Sequence, residues 1–105
     1  MHHKQLLLIE NLILNAAELQ KKLENQPEHM PYRKSLLKVL TDIEALLSNQ
    51  PLDLIRLGKA EFGIFRMVTD SKSLEESSVG KELMSYLKEL HLLRQVIKES
   101  QEKND

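Results

Sequence analysis

A chain of 105 residues has room for one domain with a modest core, so we predict a single domain over residues 1–105. Its 15 basic and 16 acidic residues nearly cancel in both halves, which argues against nucleic-acid binding, because phosphate neutralisation needs a basic excess. The absence of cysteine excludes disulfides and thiolate sites and favours the cytoplasm. Three glycines and three prolines are few enough to favour long helices and an all-α fold.

The first predicted element is a helix over residues 4–24, which ends before Pro27 because proline cannot continue the hydrogen-bond ladder. Its apolar residues recur at spacings of four, four, three and four: Leu8, Leu12, Ala16, Leu19 and Leu23. The apolar run Leu6–Ile9 is far shorter than the roughly 20 residues of a membrane span. Glu10 and Asn11 then interrupt the stretch that a secretory signal would keep apolar, so we interpret the segment as a helix.

The second predicted helix covers residues 31–48, with Pro31 suited to its first turn. Its apolar stripe has spacings of four, three and four: Leu36, Leu40, Ile43 and Leu47.

The third predicted helix covers residues 51–69. We expect Asn49 or Gln50 to cap it, with Pro51 near its first position and Asp53 favourably placed for the helix dipole. Its apolar residues are Leu54, Leu57, Phe65 and Val68.

Two glycines inside this third helix, Gly58 and Gly63, each cost up to about 1 kcal/mol relative to alanine. We interpret them as close packing beneath an aromatic side chain, with Phe62 and Phe65 nearby. The alternative is a locally weak helix that moves when a partner binds.

The fourth predicted helix covers residues 74–98, and Ser73 with Glu76 matches the spacing of a capping box. Its stripe alternates spacings of four and three throughout: Val79, Leu83, Tyr86, Leu90, Leu93 and Ile97. Beyond it the sequence is wholly polar, and we predict a frayed or disordered tail over residues 99–105.

Four amphipathic helices joined by short loops predict an antiparallel, up-down four-helix bundle. Several apolar residues lie off the best stripes, and most are expected in the core or at its boundary: Leu7, Leu14, Leu52, Ile55, Met67 and Leu92. Were several exposed together, they would mark an interaction patch.

The sequence offers no catalytic, cofactor-binding or metal-binding residues. His29 falls in a loop and His91 in the fourth helix, and neither has partners at the spacings of helical metal sites. The serines lack a G-x-S-x-G elbow, and there is no glycine-rich phosphate loop. We therefore predict a protein that is not an enzyme and that binds another protein.

Three stretches resemble the immunity proteins that protect producers of class IIa (pediocin-like) bacteriocins, particularly the enterocin A immunity group. They are SLLKVLTDIEALLSNQ (35–50), PLDLIRLGKAEFGIFRMVTDSKSL (51–74) and GKELMSYLKELHLLRQVI (80–97). The likeness covers roughly residues 6–97 and includes length, lack of cysteine, an aromatic-bearing third helix and an amphipathic fourth helix.

The resemblance implies a cytosolic bundle that binds the bacteriocin-bound mannose phosphotransferase permease. We expect a monomer or weak dimer that associates peripherally with the membrane through that partner. It attributes toxin recognition to the C-terminal half, which here offers Lys88, Arg94, Lys98 and Glu99 as exposed candidates off the apolar stripe. The polar tail is shorter than in several family members. The alternative function is a non-enzymatic helical adaptor or regulatory protein-binding module.

Overall fold

A computed structural model describes residues 3–103, with the side chains of residues 3–102. This part of the chain contains no strand, which confirms the all-α prediction. None of its helices combines the length and the apolarity that a membrane crossing requires. The elements are α1 (His3–Glu24), α2 (Arg33–Ser48), α3 (Leu54–Asp70), the short α4 (Lys72–Glu76) and α5 (Ser78–Lys103).

The four long helices form the predicted bundle, with α1 packed against α2 and α5, and α3 packed against the same two helices. Neighbours run antiparallel: Lys22, near the end of α1, pairs with Glu82, near the start of α5. The bundle measures 48 × 21 × 18 Å. Each long helix therefore buries one face against two neighbours.

Every residue of the predicted stripes on α2 and α5 is buried, and Leu87 is buried beside the α5 stripe. On α1, Ile9 is buried and Leu8 only partly so. On α3 the prediction for Phe65 is wrong, because Leu57, Ile64 and Val68 already complete the buried stripe. Phe65 follows Ile64 and is turned about 100° away from it around the helix, and 44% of its surface is exposed.

Two serine caps divide the segment predicted as the start of the fourth helix. Ser71, not Ser73, caps α4, because its Oγ accepts a hydrogen bond from the backbone N–H of Leu74. Ser77 has an extended backbone (φ −74°, ψ 160°) that interrupts the helix, and its Oγ accepts from the N–H of Gly80 at 3.0 Å. The predicted capping box is therefore wrong, and a separate short helix precedes α5.

The start of α3 also differs from its prediction. Asp53 is the cap, since its Oδ1 accepts a hydrogen bond from the backbone N–H of Arg56 at 3.0 Å. The Asn49 side chain instead donates to the carbonyl of Ala45 at 2.8 Å and so closes the end of α2. The expected cap at Asn49 or Gln50 is wrong.

Tyr32 lies just before α2 in the left-handed backbone region, with φ of 61°, so α2 begins after Pro31 rather than at it. The Tyr32 hydroxyl donates to the carboxylate of Asp70, and this hydrogen bond raises the pKa of Tyr32. It ties the α1–α2 loop to the end of α3.

The α5 helix continues through residues 99–103, so the prediction of a frayed or disordered tail is wrong for these residues. Ile97 is the last core residue, but neither glycine nor proline follows it, and lysine, glutamate and glutamine favour a helix. Residues 104 and 105 of the predicted tail lie outside the described part.

Tyr86 allows a test of the α1–α5 contact. Its buried hydroxyl donates to the carbonyl of Leu12 at 2.9 Å, and burial raises its pKa, with Glu44 and Glu89 adding to the shift. An unfolded tyrosine has a pKa of about 10. Because folded Tyr86 keeps its proton to a higher pH than unfolded Tyr86, its contribution to stability is complete below pH about 10 and is lost as the pH rises further.

Tyr86→Phe is expected to lower the free energy of unfolding at neutral pH by about 1 kcal/mol, because one buried hydrogen bond is lost. Above pH about 10 the difference in unfolding free energy between the two proteins should shrink, because Tyr86 can lose a proton and the phenylalanine that replaces it cannot. Urea unfolding across the alkaline range measures both effects. Parallel curves for the two proteins would contradict the assignment.

Candidate functional site

The interior of the described residues carries no metal cluster and no unpaired side-chain polar group. Among residues 3–102, no group of three or more His, Cys, Asp or Glu side chains is arranged to hold a metal ion. Every buried side-chain polar atom in the same residues has a hydrogen-bond partner. Open grooves run between neighbouring helices on the surface of the bundle.

One groove, which we call the α3–α5 groove, is mainly apolar. It is an open channel of about 590 Å³. Its lining residues are Gly58, Glu61, Phe62 and Phe65 from α3, and Met84, Leu87, Lys88, His91 and Arg94 from α5.

Phe62 and Phe65 are the two phenylalanines of the chain, and both are exposed in this groove, by 59% and 44%. The guanidinium of Arg66 lies over the Phe62 ring, 5.9 Å from its centroid, within the range of a cation–π contact. Two neighbouring exposed aromatic rings in an apolar groove make it a candidate binding surface.

One end of the groove is closed by a half-buried ion pair between helices. Arg94 binds both carboxylate oxygens of Glu61, with Nε–Oε1 at 3.2 Å and Nη2–Oε2 at 2.9 Å. A Cβ on Gly58 would lie 3.2 Å from Nη1 of Arg94, closer than most real contacts. Gly58 thus leaves space for the guanidinium to lie on α3.

His91 joins this pair at the edge of the groove. Its Nδ1 lies 3.4 Å from Oε2 of Glu61 and 3.4 Å from Nη2 of Arg94. A neutral His91 can accept from Arg94, whereas a protonated one adds a second positive charge beside Glu61. In both states the Glu61 carboxylate is already matched by a cation.

The structure brings two of the four predicted partner-binding residues to the groove. Lys88 lines it and is exposed. Arg94 also lines it, but the expectation that it is exposed is wrong, because Glu61 holds it and only 24% of its side chain is accessible. Lys98 and Glu99 are exposed on α5 beyond Arg94 and do not line the groove.

Phe62 and Phe65 are surface residues that the sequence pattern did not lead us to expect. A signal was present, because Leu57, Ile64 and Val68 form a complete core stripe at spacings of seven and four without them.

The interpretation of the third-helix glycines as packing beneath an aromatic ring is wrong. Gly58 lies beneath the guanidinium of Arg94, while a Cβ on Gly63 would have no neighbouring atom within 4 Å.

The neighbouring groove between α1 and α5 has a different character. Its lining is largely charged or polar, and two pairs of side chains cross it. Lys22 pairs with Glu82, and the Asn15 amide donates to Glu89 at 3.5 Å. These two pairs occupy four of its polar side chains, and the lining has less apolar surface to offer a partner than the α3–α5 groove.

No protein-family model, no curated protein and no solved structure matches this chain. The likeness to the bacteriocin immunity proteins therefore stays a prediction from the sequence.

Proposed function

We propose that this protein is a cytoplasmic immunity protein that protects the cell from a pediocin-like bacteriocin by binding the toxin-bound mannose phosphotransferase permease. The observation that carries the proposal is the exposure of Phe62 and Phe65 in the α3–α5 groove. The groove lies in the C-terminal half of the chain, to which the family resemblance attributes recognition.

The groove is suited to binding rather than to catalysis. Its carboxylate, Glu61, is engaged by Arg94 on both oxygens, so it is not free to act as a base. The apolar floor of the groove consists of Phe62, Phe65, Met84 and Leu87. Burying this floor against a partner favours binding by about 25 cal/mol for each Å² of apolar surface removed from water. An adaptor or regulatory module would use the same surface and differ only in its partner.

The test is protection of a bacteriocin-sensitive strain that expresses this chain, challenged with a panel of pediocin-like peptides. We expect survival against at least one peptide. Phe62→Ala combined with Phe65→Ala should abolish survival, because the apolar floor is removed. The double variant and its control, described next, must match the unaltered chain in expression and helix content.

Leu7→Ala combined with Leu14→Ala is the matched control. These α1 side chains are exposed by 46% and 62%, so the expectation that they lie in the core or at its boundary is wrong, and neither lines the α3–α5 groove. This control should protect as well as the unaltered chain. Loss of protection in this control alone would place the interaction patch on α1. Equal loss in both double variants would contradict a role for the groove. Unchanged killing across the whole panel would contradict the immunity function and leave the adaptor alternative.

A further inference from the structure

We propose that the α3–α5 groove binds one amphipathic helix of a partner protein, with acidic residues flanking the apolar face of that helix. The inference takes from the proposed function only that the groove binds a protein. It adds the shape and the charge of the bound segment, which follow from the groove itself.

The charges around the groove are unbalanced. Glu61 is the acidic residue in the lining, and Arg94 and His91 already surround it. Lys88 on one wall and Arg66 beside Phe62 are exposed, and neither forms an ion pair with the described residues. A partner therefore meets an apolar floor with Lys88 in its lining and Arg66 beside Phe62. Arg66 also borders the adjoining hollow that contains Asp70, but it forms no ion pair there. Two cations without an ion pair favour carboxylates flanking an apolar stripe.

The dimensions suit a helix. From Met84 to Arg94 the α5 wall rises by ten residue steps, or about 15 Å at the rise of an α-helix. Two antiparallel helices form a channel into which the ridges of a third helix pack. About three turns of a partner helix would cover the floor through anchors at i, i+3, i+4 and i+7.

Two other occupants fit the charges less well. In a two-fold dimer the same patch meets itself, which would bring the Arg66 and Lys88 side chains of both copies together. An anionic membrane surface is usually bound by clusters of four to eight basic residues, and the edges of this groove offer two unpaired ones. A protein segment that supplies its own carboxylates fits both the cations and the concave floor.

The test uses two designed helical peptides with the same leucine face, one flanked by glutamates and one by lysines. Each is titrated into the isotopically labelled full chain while the backbone amide resonances are followed by NMR. We expect the glutamate peptide to bind about fivefold more tightly at low ionic strength, with the preference shrinking in high salt. The largest shifts should fall on Phe62, Phe65 and Lys88.

Arg66→Glu combined with Lys88→Glu should invert the preference between the peptides. The matched control, Lys34→Glu combined with Lys38→Glu, makes the same change in net charge at exposed sites on α2 and should keep the preference. Equal affinities for the two peptides, shifts centred away from the groove, or inversion by the control would each overturn the inference.

Two further measurements decide between occupants. If neither peptide binds, and vesicles containing phosphatidylserine bind the chain through Lys88, this result would overturn the inference in favour of a membrane surface. Dimerisation in sedimentation that Phe62→Ala abolishes would overturn it in favour of a second copy. If the chain protects cells but shows no peptide preference, the inference fails alone; if it binds the glutamate peptide but never protects, the immunity proposal fails alone.

Discussion

Leu93→Ala is expected to lower the free energy of unfolding by about 2–5 kcal/mol, because it empties a fully buried site in the centre of the bundle. A domain of this size has about 5–15 kcal/mol of stability to lose. The midpoint of urea-induced unfolding, followed by circular dichroism, measures the effect.

Leu92→Ala supplies a control that differs only in position. Leu92 is the preceding residue of α5, and 54% of its surface is exposed. The two substitutions make the same chemical change with the same gain in helix propensity, so their difference isolates burial. Leu92→Ala should change stability by less than about 0.5 kcal/mol. Similar losses of stability for both variants would show that α5 does not bury the face that contains Leu93.

Gly80→Ala is expected to destabilise the protein by about 1–3 kcal/mol or more, because α4 approaches the first turn of α5 too closely for a side chain. A Cβ on Gly80 would lie 1.8 Å from the carbonyl oxygen of Leu74 and 2.8 Å from its carbonyl carbon. Both atoms belong to the backbone, so α4 itself would have to move. Thermal or urea unfolding measures the loss.

Gly63→Ala is the matched control, and it should act in the opposite direction. The Cβ enters open space in the middle of α3. The free energy of unfolding should therefore rise by up to about 1 kcal/mol, because alanine favours a helix more than glycine does. A loss of stability in Gly63→Ala, or none in Gly80→Ala, would contradict the packing of these two glycines.

The bundle could be predicted because apolar spacing alone determines which face of each helix is buried. The α5 stripe from Val79 to Ile97 shows this most directly, since every predicted member lies in the core. The caps were harder, because Ser71, Ser73 and Ser77 are chemically alike and fall close together. Which serine accepts a backbone N–H depends on where α4 packs against α5, and that contact is tertiary.

The groove could be predicted only in part. Lys88 and Arg94 were recognised as residues off the apolar stripe, but sequence spacing does not reveal which charges meet across two helices. Glu61 and Arg94 are 33 positions apart, and their pairing depends on the space above Gly58. Phe62 and Phe65 resemble core residues by type, and their exposure follows from a core that is already complete without them.

The open position of Phe62 also makes the groove accessible to spectroscopy. The chain contains no tryptophan, so a Phe62→Trp variant would carry a single indole whose emission comes from this one site. A half-exposed ring tolerates the larger side chain, because it has solvent on one side. Binding of any segment over it would shift the emission to shorter wavelengths, giving a direct optical readout of occupancy in solution.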